Sequence, residues 1–244
     1  MDYDSVPLRD FKELNDWETV IFVYQSALKQ VETKIDILNG EFQHRHKYNP
    51  IEHVKSRIKT PESIVKKLKR HGYESSIENM VRYVNDIAGI RISCSFTSDI
   101  YLIADMISKQ NDLTILARRD YMKNPKKSGY RSYHMLVTTP VFLSDSIIDT
   151  KVEIQIRTVA QDFWATLEHK MHYKFEGDGP DYITKELREC ARYVAELDTR
   201  MEELNNEIQK YKKLKKTIFF IKIRFFYLQL EKNGILYVRT TCKR

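Results

Sequence analysis

The segment Lys126-Lys127-Ser128-Gly129-Tyr130-Arg131-Ser132-Tyr133-His134 packs cations, hydroxyls, flat aromatic rings and one glycine into a short run. Further along, Val152-Glu153-Ile154-Gln155-Ile156-Arg157 sets a carboxylate into a strand-like alternation. Cations and hydroxyls suit phosphate, rings suit a base, and a carboxylate suits a divalent metal. Nucleotide chemistry is the first hypothesis. Gly129 permits close backbone approach. Tyr130 offers a ring for stacking, and His134, Lys126 and Lys127 offer donors to phosphate oxygens. Arg118, Arg119, Lys123 and Arg131 thicken the same stretch. A basic surface loop is the plainer alternative, but a solvated loop gains nothing from concentrating like charge.

Two carboxylates stand out. Asp86 lies just before a strand-like run that presents Arg91, and Glu153 points to the same open face if the two strands share a sheet. Together they could hold Mg²⁺, which takes one or two protein carboxylates plus phosphate oxygens. The alternative is a turn-capping Asp86 and a solvated Glu153. Arg57, Lys59, Ser63, Lys67 and Arg70 form a second cluster, in which Ser63, Lys67 and Arg70 share one helix face. Such a face near a helix N-terminus suits a triphosphate, although a solvated basic face has the same pattern. His169 and His172 stand at i, i+3, where two polar positions on an amphipathic helix outweigh a metal site. Neither GxxxxGK[ST] nor GxGxxG nor HExxH occurs, so P-loop, Rossmann and zincin chemistry are not available.

The elements that must position these residues follow from periodicity. Apolar residues at helical spacing, Val20, Val23, Tyr24, Ala27, Leu28, Val31, Ile35 and Leu38, predict a long helix from Asn15 to about His44. Thr60-Pro61-Glu62 opens a helix running to about His71, with Gly72 as its stop. A short helix spans Ser76 to Val84. Ala88 to Phe96 alternates as a half-buried strand, with Arg91, Ser93 and Ser95 on the open face. Asp99 to Lys109 reads as a helix, and Leu113 to Arg118 and Tyr133 to Thr139 as strands. Lys151 to Arg157 is the clearest strand, with Val152, Ile154 and Ile156 inward and Glu153, Gln155 and Arg157 outward. Helical periodicity returns from Val159 to about Phe175. After Gly177-Asp178-Gly179-Pro180 it returns again from Tyr182 to Leu214. Strands mixed with helices, without regular βαβ alternation, predict an α+β fold with a mixed sheet. The expected organisation is an N-terminal helical region over 1–44, a catalytic domain over 45–176, a C-terminal helical region over 177–216, and a tail of unassigned role over 217–244.

The chain of 244 residues carries a formal net charge of +7 and a sequence pI near 9.1. A basic surplus fits polyanionic ligands, or simply lysines on solvated helices. Cys94, Cys190 and Cys242 are isolated, which argues against a disulfide framework or zinc ribbon and fits a reducing, cytoplasmic setting. The acidic N-terminus does not read as a signal peptide. The apolar stretch Thr217 to Leu230 is too short to cross a bilayer, and no membrane partner is expected.

The ordered motifs resemble the synthetase domain of the RelA/SpoT family, more specifically a stand-alone small alarmone synthetase of the RelP/RelQ type. The matching pieces are Arg57-Ile58-Lys59, Asn85-Asp86-Ile87-Ala88-Gly89-Ile90-Arg91, Arg119-Asp120-Tyr121 with Lys126 to His134, Glu153-Ile154-Gln155-Ile156-Arg157, and Phe163-Trp164-Ala165-Thr166-Leu167-Glu168-His169. The resemblance covers about residues 45 to 175.

It implies a nucleotidyltransferase-like synthetase fold and transfer of the β,γ-diphosphate of ATP to the ribose 3′-hydroxyl of GDP or GTP, giving AMP and ppGpp or pppGpp. It further implies that Mg²⁺ is held by Asp86 and Glu153, with Glu153 also the base. Arg57 and Arg91 would stack on adenine, and Lys59, Ser63 and Lys67 would meet ATP phosphates. Tyr130 would stack on guanine, His134 with Lys126 or Lys127 would grip acceptor phosphates, and Gln155 and Glu168 would touch the acceptor. Arg118, Arg119 and Arg131 are further phosphate candidates. Relatives often carry Asn where this chain has Asp162. No His-Asp dipeptide occurs, so synthesis without hydrolysis is expected. The resemblance also implies a homotetramer built through terminal helices. The competing expectation is a basic RNA-binding module without catalysis, and RNA as a regulator is compatible with either.

Overall fold

The computed structural model describes residues 16–174 and 181–232. Its elements run α1 (Trp17–His46), β1 (Ile51–Ile58), α2 (Pro61–Arg70), α3 (Ile77–Tyr83), β2 (Ala88–Cys94), α4 (Thr97–Ser108), β3 (Thr114–Asp120), β4 (Tyr133–Phe142), β5 (Ile147–Thr158), α5 (Val159–Lys174) and α6 (Asp181–Lys232). Two compact units result, Met1–Thr199 and Arg200–Arg244. The fold is α+β, as expected.

The sheet is mixed, in order β1-β2-β5-β4-β3. Only β2 and β5 run parallel; β1–β2, β3–β4 and β4–β5 are antiparallel. β4 and β5 form a hairpin closed by the Leu143 N–H bond to the Ser146 carbonyl. One face carries the core. Ile90, Ile92, Ile154, Ile156, Met135 and Val137 are buried there together with Val20, Val23, Tyr24 and Ala27 of α1 and Ile100 and Ile103 of α4. α1 therefore shares its core with the sheet, and the boundary at residue 44 marks a change of sequence character within one packed unit.

The helix starts follow side-chain chemistry. Asp16, Thr60 and Ser76 accept from the backbone N–H three residues on and cap α1, α2 and α3, and each such cap is worth about 1 kcal/mol. Pro61 occupies the first turn of α2, where its missing N–H costs nothing.

Three features depart from the sequence reading. β1 was not expected: its burial pattern is mostly exposed, so it carries no apolar alternation and joins the sheet through backbone pairing with β2. α6 continues well past Leu214 to Lys232, so the expected tail is helical to that point, and residues 233–244 lie outside the described part. Arg157, read as outward and open, is only 3% exposed, because α5 packs over its end of β5.

Candidate active site

Two neighbouring rungs of the sheet carry the site. One runs Arg57, Gly89, Glu153, Leu136, Ala117, and the other Lys55, Arg91, Gln155, His134, Arg119; each crosses every strand through paired residues. Because side chains alternate between faces, both rungs point away from the α1 core. α5 roofs part of this face with Ala165, Thr166, Glu168, His169 and Lys170, leaving a cavity of about 740 Å³.

Asp86 and Glu153 both line that cavity and a smaller hollow of about 220 Å³ shared with Lys55, Arg57 and Arg91. Asp86 sits in the turn before β2. Lys59 Nζ donates to one of its oxygens at 2.9 Å and Lys67 Nζ to the other at 2.7 Å. Burial pushes the Asp86 carboxyl up, but the two ammonium groups outweigh it and hold the pKa down at about 2. The turn itself is pinned from β5, where the buried Lys151 donates to the Asn85 side-chain oxygen at 2.9 Å and to the Arg82 carbonyl at 3.0 Å.

Glu153 accepts from Gln155 Nε2 at 2.9 Å and faces His134 Nδ1 at 3.4 Å. Burial raises its pKa, while the His134 and Gln155 hydrogen bonds lower it by more, so the net direction is downward. Arg157 donates to the Tyr130 hydroxyl at 3.0 Å, and that hydroxyl lies 2.9 Å from His134 Nε2. A hydroxyl that accepts from Arg157 is free to donate to Nε2, which leaves the His134 proton on Nδ1, facing Glu153. Arg157, Tyr130, His134 and Glu153 thus form one hydrogen-bonded chain. Burial raises the Tyr130 pKa, only partly offset by Arg157, so the phenol stays protonated at neutral pH.

The Tyr130 ring is held between two cations, with Lys126 Nζ at 4.8 Å and the Arg157 guanidinium at 5.2 Å from its centroid. It leans on Trp164, Ala165 and Ala191. Gly129 turns the chain at φ +92°, and a Cβ there would lie 2.5 Å from the Ala191 Cβ. Glycine is thus required at this position both by conformation and by contact. Asp162 accepts from Arg91 and Arg157, each at 3.3 Å, and so ties the β1–β2 side of the cavity to the Tyr130 side.

Of the residues expected from sequence, Arg57, Lys67, Asp86, Arg91, Arg119, Lys126, Tyr130, His134, Glu153, Gln155 and Glu168 line the one cavity. Lys59 reaches it through Asp86. Ser63 is spent on the Thr60 cap, and Lys127 is absent from the cavity wall. Arg118 donates to Ser108, and Arg131 to the Met122 carbonyl beside a separate hollow lined by Arg188 and Arg192. His169 lines the cavity, while the His172 side chain lies outside the described residues. Sequence reasoning missed Lys151 and Arg157 as site-builders. Their signal was the outward row Lys151, Glu153, Gln155, Arg157 at period 2.

The donor set suits a hard divalent ion with phosphate completing its shell. It offers two carboxylates on one cavity, with cations and amides around them. Among the described residues no group of three or more His, Cys, Asp or Glu converges, so a site closed by protein ligands alone is not present there.

Comparison with known proteins follows the same lines. A family described as the region found in RelA / SpoT proteins matches residues 56–178. GTP pyrophosphokinase YwaC of Bacillus subtilis is 44% identical over 209 residues, covering 85% of this chain and 100% of that protein. The crystal structure of small alarmone synthetase 2 from Bacillus subtilis has a TM-score of 0.72 at 44% identity, over 78% of this chain and 99% of that one. Small alarmone synthetase 1 from the same organism, bound to its product pppGpp, gives a TM-score of 0.74 at 34% identity over 79% and 98%. Bound to AMPCPP it gives 0.68 at 32% over 80% and 98%.

Proposed function

Because the chain belongs to the RelA/SpoT family, and within it is similar to small alarmone synthetases over about four-fifths of its length, we infer that it moves the β,γ-diphosphate of ATP to the 3′-hydroxyl of GDP or GTP. It is a GTP pyrophosphokinase, and AMP and ppGpp or pppGpp are its products. Synthesis without hydrolysis fits its stand-alone relatives. The observation that carries the reading is the pair Asp86 and Glu153 on one cavity wall, with cations on both sides.

The site divides along the sheet. Arg57 and Arg91 line the smaller hollow with Asp86 and Glu153, and this is the adenine side, where each guanidinium stacked on the base contributes about 0.5–2 kcal/mol. Lys59, just before α2, Ser63 in its first turn beside the Thr60 cap, and Lys67 in its last turn are assigned to ATP phosphates. Lys59 and Lys67 keep Asp86 ionised and exchange it for phosphate oxygens when the donor arrives. Tyr130 takes guanine on the ring face that Lys126 covers, releasing Lys126, with Lys127, toward acceptor phosphates. His134, Gln155, Glu168 and Arg119 complete the acceptor side, with Arg118 and Arg131 as outlying phosphate contacts. Glu153 accepts the 3′-hydroxyl proton. Its lowered pKa keeps it ionised for that task. Asp86 and Glu153 would hold a divalent cation, proposed as Mg²⁺, which screens charge on the transferring phosphates.

We propose 45–176 as the catalytic segment, flanked in sequence by helical regions 1–44 and 177–216, with α1 sharing the core of its sheet. A homo-oligomer, taken as a tetramer, is part of the proposal. It is supported by the exposed row Met201, Leu204, Ile208 and Tyr211 on α6, spaced alternately by three and four as coiled-coil seams require. Location in the cytoplasm is likewise proposed.

The test is product analysis. ATP and Mg²⁺ with GDP, and separately GTP, should give AMP in step with a guanosine tetra- or pentaphosphate. Glu153→Gln should lower turnover by about 10²–10⁴ while nucleotides still bind. Near-parental turnover in that variant would remove Glu153 from the chemistry. Salt-dependent RNA binding without ATP consumption would favour the binding-module reading instead.

A further inference from the structure

The whole formal charge of +7 resides in one stretch of α6. Seven of the chain's 41 cationic side chains, and none of its 34 acidic ones, lie between Ile208 and Leu230, so the remainder balances at 34 of each sign. The cations are Lys210, Lys212, Lys213, Lys215 and Lys216, followed by Lys222 and Arg224. Behind this basic block, Phe219, Phe220, Ile221, Phe225, Phe226 and Leu228 are 51–62% exposed. Concentrated exposed apolar surface of this kind marks a contact site, and the catalytic reading leaves it unused.

The arrangement does not suit a second copy of the helix. The seam formed by Met201, Leu204, Ile208 and Tyr211 continues through Lys215, Ile218, Lys222 and Phe225, so charge interrupts it twice. Consecutive residues stand about 100° apart on a helix, and Phe219, Phe220 and Ile221 therefore project to different sides. Nucleic acid would satisfy the lysines but gains little from exposed Ile221 and Leu228. An interface with negative headgroups above hydrocarbon satisfies both.

We propose that the segment of α6 from Lys210 to Leu230 is a docking surface for an anionic lipid bilayer, lying in the headgroup region. It does not cross. The apolar part, Thr217 to Leu230, spans about 21 Å as a helix, against roughly 30 Å of hydrocarbon. Among the described residues no helix is long and apolar enough to span a membrane. The sequence reading expects no membrane partner, and a surface-bound helix departs from that expectation while keeping its exclusion of crossing. The inference stands independently of the catalytic reading.

Flotation of the full chain with vesicles tests it, using phosphatidylcholine alone and phosphatidylcholine mixed with phosphatidylglycerol. The chain is expected to float with the mixed vesicles and not with the neutral ones, and less in high salt. Each cation near an anionic surface contributes about fivefold to partitioning, so Lys213→Gln with Lys216→Gln should weaken binding about 25-fold. Phe220→Ser with Phe226→Ser should abolish it. Both variants lie outside the catalytic machinery, and parental AMP release in each shows that the fold is intact. Absence of flotation with the mixed vesicles overturns the proposal, as does flotation unchanged in both variants. Binding of polyuridylate that is lost with the lysines and indifferent to the phenylalanines would instead assign the segment to nucleic acid. Self-association lost in the phenylalanine variant, without vesicle binding, would assign it to a second copy.

Discussion

Lys151 Nζ lies 2.9 Å from the side-chain oxygen of Asn85. Through that bond β5 fixes the turn that presents Asp86, while two residues further along the same strand it presents Glu153. Both carboxylates are thus referred to one strand. Removing the ammonium takes a donor from the half-buried Asn85 oxygen and from the Arg82 carbonyl, at a cost of up to about 1–3 kcal/mol. Lys151→Met is expected to lower kcat by up to about 10² through misplacement of Asp86, with a lower Tm. Calorimetry and AMP release check it, and unchanged turnover would detach the turn from catalysis.

Asp86 is a half-buried acid kept ionised by two lysines. Its folded pKa of about 2 lies below the ordinary 3.8. Its contribution to stability, about 2 kcal/mol, is therefore fully present above pH 3.8 and is lost as pH falls through about 2. In Lys67→Met one offsetting cation is gone while burial remains, so the Asp86 pKa should rise and this loss should begin at higher pH. Carboxyl-carbon NMR of the two proteins reads the shift directly. An Asp86 titration that does not move would show that Lys67 is not what holds it down.

Gly129 meets Ala191 across a gap that no Cβ fits. Gly129→Ala should push the Tyr130 ring from its seat and add about 1–3 kcal/mol of backbone strain. The KM for the guanine nucleotide is expected to rise about tenfold or more, that for ATP much less. Adding Ala191→Gly restores the space but not the φ, so the double variant should recover part of the loss. Equal effects on both nucleotides would contradict the assignment of Tyr130 to the acceptor side.

Leu204 stands in the middle of the exposed row on α6. Leu204→Lys places a charge on that seam and should yield a smaller species in sedimentation velocity, with Tm falling as protein is diluted. A parental sedimentation coefficient would exclude the row from the assembly contact.

Much of this was legible from residue types alone, and the reason differs by element. β2 and β5 bury one face, so Ile90, Ile92, Ile154 and Ile156 announced both strands and, by alternation, aimed Arg91, Glu153 and Gln155 together. β1 buries only Ile51 fully, with Val54 and Ile58 half-covered against the core, and enters the sheet largely by backbone hydrogen bonds, which leave no regular side-chain pattern. Arg57 was therefore identified by its motif without the strand that carries it. Arg157 was misjudged, and Lys151 was passed over, for a related reason. Alternation tells which face a residue is on, but not whether a distant helix or turn will cover it. The paired lysines on Asp86 join residues far apart in the chain, a relation that spacing cannot express.

The site's two rungs end on the two edge strands, with Arg57 and Lys55 on β1 and Arg119 on β3. Edge strands are the part of a sheet that frays first, since each has a neighbour on one side alone. On the proposed assignment, each substrate clasps a border of the sheet to its fixed middle. Amide hydrogen exchange should slow in β1 when the adenine nucleotide binds and in β3 when the guanine nucleotide binds, so that the enzyme is most rigid at the moment both are aboard.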